Sequence, residues 1–153
     1  MSVEVTPNGS YGQGVPTGPI KAIAVRFMRL SHRLGSKRMD GMPVVMLTTK
    51  GVRSGELRTT PVLSFPEGDS AWLVVAAFAG ATRHPAWFVN LARNPADVWV
   101  ESEGRRVRVT PRSLEGEERD RAWTRITEQS PRFTGYQEKT DRQIPVVRLT
   151  ARS

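Results

Sequence analysis

The stretch Thr48-Thr49-Lys50-Gly51-Val52-Arg53-Ser54-Gly55-Glu56-Leu57-Arg58-Thr59-Thr60-Pro61 constrains this chain more than any other segment. Val44 to Leu47 runs into it and Val62 to Phe65 runs out of it, so the pattern predicts strand, turn and strand. The turn holds three cations, two glycines and five hydroxyl side chains. Gly51 and Gly55 allow positive φ and close approach to a ligand. Successive N–H groups in such a turn can form an anion-holding concavity. Arg53 and Arg58 add planar donor forks suited to phosphate or carboxylate. Taken alone, the same residues also fit a solvated, charged hairpin.

A length of 153 residues predicts one domain. A chain of about 150 residues buries roughly 68–70% of its unfolded surface, enough for a core and one ligand crevice. There is no run of eighteen apolar residues and no charged-then-apolar leader, so neither a spanning helix nor export is expected. Zero cysteines exclude disulfides, thiolate metal sites and a cysteine nucleophile. With only His32 and His84, no histidine-based metal site is expected. These features place the chain in the cytoplasm, peripheral to the inner face of the membrane if its first helix binds lipid.

The net charge of +8 calls for an anionic partner or a compositional cause. Cations cluster at Lys37 and Arg38, in the turn, and at Arg105, Arg106, Arg108 and Arg112. Aromatics do not interleave with them as a stacking platform would require, and no groove-reading motif is present. Nucleic acid is therefore not an expected partner.

Residues 1–19 are rich in glycine, proline and small polar residues and are expected to form a disordered arm. Residues 20–153 form the folded domain. Apolar residues at Ile20, Ile23, Ala24, Phe27, Leu30 and Leu34 have helical spacing, with Lys21, Arg26, Arg29 and Arg33 elsewhere on the wheel. Such a basic amphipathic helix can lie on an anionic membrane, pack as a lid or form a homodimer contact. Its narrow, interrupted stripe favours packing.

Strands are expected at Val44 to Thr49, Thr59 to Phe65, Ala71 to Ala77, Asp97 to Glu101, Arg105 to Thr110 and Ile144 to Leu149. Short connections suggest an antiparallel meander closed as a small barrel. Pro85 starts a short helix through Ala92, and Asn94-Pro95 ends it. Leu114 to Gln129 reads as a second helix, with Glu115, Glu117 and Glu118 at its start as the macrodipole favours.

Four segments occur in order: Gly41-Met42-Pro43, the turn from Thr48 to Gly55 with Arg58 and Pro61, His84 to Leu91 followed by Asn94-Pro95, and Thr140-Asp141-Arg142-Gln143-Ile144-Pro145. Together they resemble the deazaflavin-dependent nitroreductase family, from about Gly41 to Val147. The resemblance implies an α+β, FMN-binding-like split β-barrel with flanking helices and the cofactor coenzyme F420, a deazaflavin carrying a phosphate and an acidic tail. It implies that Val52, Arg53, Ser54, Arg58, Thr59, Thr60, Pro61, Val62 and Leu63 hold the anionic parts. Val75, Ala76, Ala77 and Phe78 then border the ring, and Ala86, Trp87, Phe88, Val89 and Asn90 bring a helix N-terminus beside it. Trp87 and His84 also fit plain structural roles, in the core and at the helix start.

The chain departs from the family pattern in two places. Phe78 stands where a polar residue is common, and a tyrosine-rich segment is reduced here to Phe133 and Tyr136. The expected activity is hydride transfer from reduced F420 to a small-molecule acceptor such as a quinone, nitroaromatic or enone. Phe133 stacks and Tyr136 donates a hydrogen bond or proton in that reading, with Tyr136 as a helix-flanking core residue the alternative. The rivals are an FMN-binding barrel and a non-catalytic cofactor- or membrane-binding module.

Overall fold

Apolar residues alternate along most of the strands, and the two faces they create build two separate cores. The computed structural model describes residues 3–9, 38–39, 42–77, 80 and 84–152. Within them the chain forms β1 (Arg38–Met39), β2 (Met42–Lys50), β3 (Leu57–Glu67), β4 (Ala71–Val75), α1 (Ala86–Arg93), β5 (Val98–Ser102), β6 (Arg105–Ser113), α2 (Gly116–Gln129), α3 (Arg132–Glu138) and β7 (Val146–Ala151). All strand pairs are antiparallel, in the order β1-β2-β3-β4-β7-β6-β5, and a further β2–β5 pairing closes β2 to β7 into a barrel.

Two long strands change partners midway. β3 pairs with β2 over Leu57 to Leu63 and with β4 over Ser64 to Glu67. β6 pairs with β5 over Arg105 to Arg108 and with β7 over Val109 to Ser113. The barrel is thus two half-sheets sharing β3 and β6, a split barrel. Each residue of β3 has a strand on one side only, the edge setting that tolerates Pro61 and Pro66 within a strand.

Inward-facing Val45, Leu47, Val62, Val74, Val98, Val100, Val109, Val147 and Leu149 fill the barrel and meet Phe88 and Leu91 of α1. Residues of the opposite parity, Phe65, Leu73, Ala77 and Val146, pack beneath Ala122 and Ile126 of α2 and Phe133 of α3. Leu47 is fully buried, and truncating such a residue to alanine costs about 2–5 kcal/mol. No described helix is long and apolar enough to cross a membrane.

Strands β2 to β7 and the two longer helices fall where the sequence places them, apart from their ends, and the short β1 was not expected. The strand order differs from a meander, because α1 carries the chain from β4 across to β5, which pairs with β2, and β7 returns to lie beside β4. The disordered arm is corrected over residues 3–9. Val3 is buried in the barrel cluster, and the Thr6 carbonyl accepts a hydrogen bond from His84 Nε2 at 2.7 Å. The rest of the arm and the helix expected over 20–34 lie outside the described residues.

Candidate active site

The cationic turn and α1 face each other at one end of the barrel. Gly51 N–H donates to the Glu56 carbonyl at 2.8 Å and Gly55 N–H to the Gly51 carbonyl at 2.9 Å, closing a tight loop in which Gly55 has φ +70°. Asn90 joins this loop to the helix. Its Oδ1 accepts from Val52 N–H at 3.3 Å, and its Nδ2 donates to Thr49 Oγ1 at 3.3 Å. One turn later Asn94 Nδ2 donates to the Lys50 carbonyl at 3.3 Å.

Between turn and helix lies a cavity of about 640 Å³. One wall is Gly51, Val52, Arg53, Ser54, Arg58 and Thr60, the other is Ala86, Trp87, Val89, Asn90 and Arg93, and Thr49 lies between them. The volume is within the roughly 300–1,000 Å³ typical of ligand sites. Three arginines line it and no carboxylate does. Arg58 meets Glu56 at 3.6 Å, but both side chains are largely exposed. Arg53 and Arg93 have no ion pair among the described residues. The first turn of α1 has no acidic residue, and Pro85 supplies no side-chain cap. Its leading N–H groups add a partial positive charge beside Ala86 and Trp87.

This donor set fits the anionic groups of a phosphorylated cofactor. Trp87, 8% exposed, offers an aromatic wall for a flat ring. Among the described residues no group of three His, Asp or Glu side chains is placed to hold a metal ion.

Just before α1, His84 is buried against Phe88, with ring centroids 4.9 Å apart. Its Nε2 donates to the Thr6 carbonyl, which leaves Nδ1 to accept from Arg142 Nη1 at 2.9 Å. Arg142 also donates to the Ala76 carbonyl at 2.9 Å and the Ala77 carbonyl at 2.6 Å. Burial, and secondarily the Arg142 charge, hold the His84 pKa below its ordinary value, although the Thr6 contact opposes them. Neutral His84 is therefore the state that this geometry selects.

The structure brings together Val52, Arg53, Ser54, Arg58, Thr60, Ala86, Trp87, Val89 and Asn90 among the residues expected from sequence. Others stand apart from the cavity. Val62, Ala76 and Phe88 are closed inside the barrel core, and Ala77 lies in the core beneath α2 and α3. Pro61 is buried opposite Met46, and Thr59 shares a hydrogen bond with Thr48, Oγ1 to Oγ1 at 2.9 Å. Leu63, Val75 and Tyr136 are half-buried on the outer face around Phe133. Phe133 and Tyr136 meet edge to face at 5.6 Å. Phe78 lies outside the described residues.

Thr49 and Arg93 line the cavity but were not expected there. The signal for Arg93 was available, because Ala86, Val89, Asn90 and Arg93 share one helical face by their spacing.

Comparison with known proteins identifies the family. A family model described as F420H(2)-dependent quinone reductase matches residues 21–151. An F420H(2)-dependent quinone reductase of Mycobacterium tuberculosis (strain H37Rv) is 37% identical over 123 residues, covering 78% of this chain and 81% of the relative. The solved structure of an F420-H2 dependent reductase (FDR-A) is 38% identical with a TM-score of 0.62, covering 70% of this chain and 93% of that one. A structure described as a domain-swapped dimer is 33% identical with a TM-score of 0.63, covering 86% of this chain and 99% of that one. With a split barrel, a cationic cavity and a family model spanning most of its length, the chain belongs to the F420H(2)-dependent quinone reductase family, and coenzyme F420 is the cofactor which that membership assigns to it.

Proposed function

We propose that this protein binds reduced F420 in the cavity between the cationic turn and α1 and passes a hydride equivalent to a quinone. The observation that carries the reading is the three-arginine, carboxylate-free lining opposite an uncapped helix N-terminus. Reduced F420 supplies the two-electron chemistry when bound. The chain's residues supply binding and orientation. Arg53, Arg58 and Arg93 hold phosphate and carboxylate groups, the Thr49 and Thr60 hydroxyls add neutral hydrogen bonds, and Trp87 fixes the plane of the ring. Charge-assisted hydrogen bonds are worth about 1.5–3 kcal/mol each, so a few of them account for much of the roughly 8 kcal/mol of a micromolar affinity.

Tyr136 is the proposed donor on the acceptor side. It lies apart from the cavity, half-buried beside Phe133, so this role requires the bound ring to extend from the cavity toward α3. A homodimer is also part of this reading, supported by the relative described as a domain-swapped dimer. Light scattering of purified protein tests the dimer.

Titrating the purified protein with F420 and, separately, with FMN tests the cofactor assignment. Saturable F420 binding at micromolar concentration with weak FMN binding is expected. Preference for FMN would overturn the assignment.

A further inference from the structure

Arg142 is 1% exposed and lies far in sequence from both walls of the cavity. Among its contacts with described residues, its guanidinium donates to the Ala76 and Ala77 carbonyls and to His84 Nδ1. Ala77 and His84 are the two ends of the connection over 78–83. The ladder of β4 stops at Val75; beyond it the Ala77 carbonyl accepts from Gly80 N–H at 2.9 Å as well as from Arg142, and the Ala76 carbonyl accepts from Arg142. A planar fork meets them together with the histidine nitrogen, which an ammonium on a flexible stem does not reproduce.

Two further contacts converge on this connection. His84 passes the restraint to the N-terminal arm through the Thr6 carbonyl. Gly80 lies so close to α3 that a Cβ there would stand 2.6 Å from the Tyr136 carbonyl. Directly after His84 come Pro85 and the cavity-lining Ala86 and Trp87. A buried charge is costly, and apolar packing would secure a purely structural joint equally well. Arginine here provides a directional grip on Ala76, Ala77 and His84 together.

We propose that Arg142 is a positioning residue of the reductase, which by binding both ends of the 78–83 connection sets where α1 presents its N-terminus and Trp87 to F420. The inference rests on the F420 reading of the cavity.

The test keeps Arg142 and changes its partner. In His84→Gln the amide oxygen accepts from Arg142 while the amide N–H₂ donates to Thr6, whereas His84→Leu keeps bulk and removes both functions. F420 affinity, steady-state kinetics, thermal melting and hydrogen exchange are measured for both, with Arg142→Lys as a third variant. His84→Leu should lower kcat/KM for reduced F420 by about 10²-fold, the scale at which misplacement of roughly 1 Å acts. Exchange should quicken over 78–88 but not in β2 or β6, and His84→Gln should stay close to wild type.

Wild-type protein that fails to bind F420 overturns the proposed function and this inference together. Wild-type protein that binds, with His84→Leu matching it in affinity, kcat/KM and exchange, overturns the positioning role alone. If Arg142→Lys does not fold, the two His84 variants decide.

Discussion

Asn90 of α1 accepts a hydrogen bond from the backbone N–H of Val52 at 3.3 Å, across 38 residues of sequence. Through this contact the helix holds the cationic turn in place, and the same side chain anchors to Thr49 on β2. The cavity therefore depends on how barrel and helix dock, and neither wall is complete alone.

Asn90→Ala removes both contacts. Net hydrogen-bond contributions of about 0.5–1.5 kcal/mol lead to an expected loss of F420 affinity near tenfold with a small fall in melting temperature. Fluorescence titration checks this, and wild-type affinity would show that the turn is held by other means.

Replacing both Arg53 and Arg58 with alanine should weaken F420 binding by more than tenfold and reduce its salt dependence. Both residues are exposed, and exposed charges contribute under about 1 kcal/mol to folding, so melting should be unchanged. Loss of affinity together with a large loss of stability would mean a structural role instead.

The barrel and the turn were legible because alternation and glycine spacing are local signals. What escaped was decided by long-range packing. α3 is only seven residues long and contains Gly135, a poor helix former, so nothing in the sequence marks it. Burial of Val3 takes a barrel to dock against, which composition does not reveal. The meander expectation failed because β7, remote in sequence, pairs with β4. In the site, Val62 and Phe88 belong to the same segments as cavity-lining residues but point inward, a distinction that strand parity and helix phase settle only once the barrel is closed.

Tyr136→Phe removes one hydroxyl and leaves the Phe133 contact intact. If the phenol assists the acceptor, kcat should fall at least tenfold, about 1.4 kcal/mol, with F420 affinity unchanged. Wild-type turnover would leave Tyr136 as part of the packing beneath α3.

Acid should destabilise the fold in stages. His84 is held below its ordinary value of 6.5, so the unfolded chain binds the proton more readily, and stability present above 6.5 is lost as pH falls through the folded value. Glu118 is lowered from 4.5 to about 2, mainly by Arg112 and then Arg148, so its contribution is present above 4.5 and fades between 4.5 and about 2. Glu67, lowered chiefly by Arg148, moves in the same sense. Melting temperature against pH should therefore decline below about 6.5 and again below about 4.5. His84→Gln should flatten the first decline and Glu118→Gln should reduce the second. A wild-type profile flat from pH 7 to 5 would contradict the His84 assignment.

The most direct test follows oxidation of reduced F420 by purified protein with a water-soluble naphthoquinone as acceptor. Quinone-dependent turnover that saturates in F420, is lost in the Arg53→Ala/Arg58→Ala double variant at limiting cofactor, and is absent with reduced FMN is the expected result. Quinone reduction that proceeds with reduced FMN but not with reduced F420 would contradict the account.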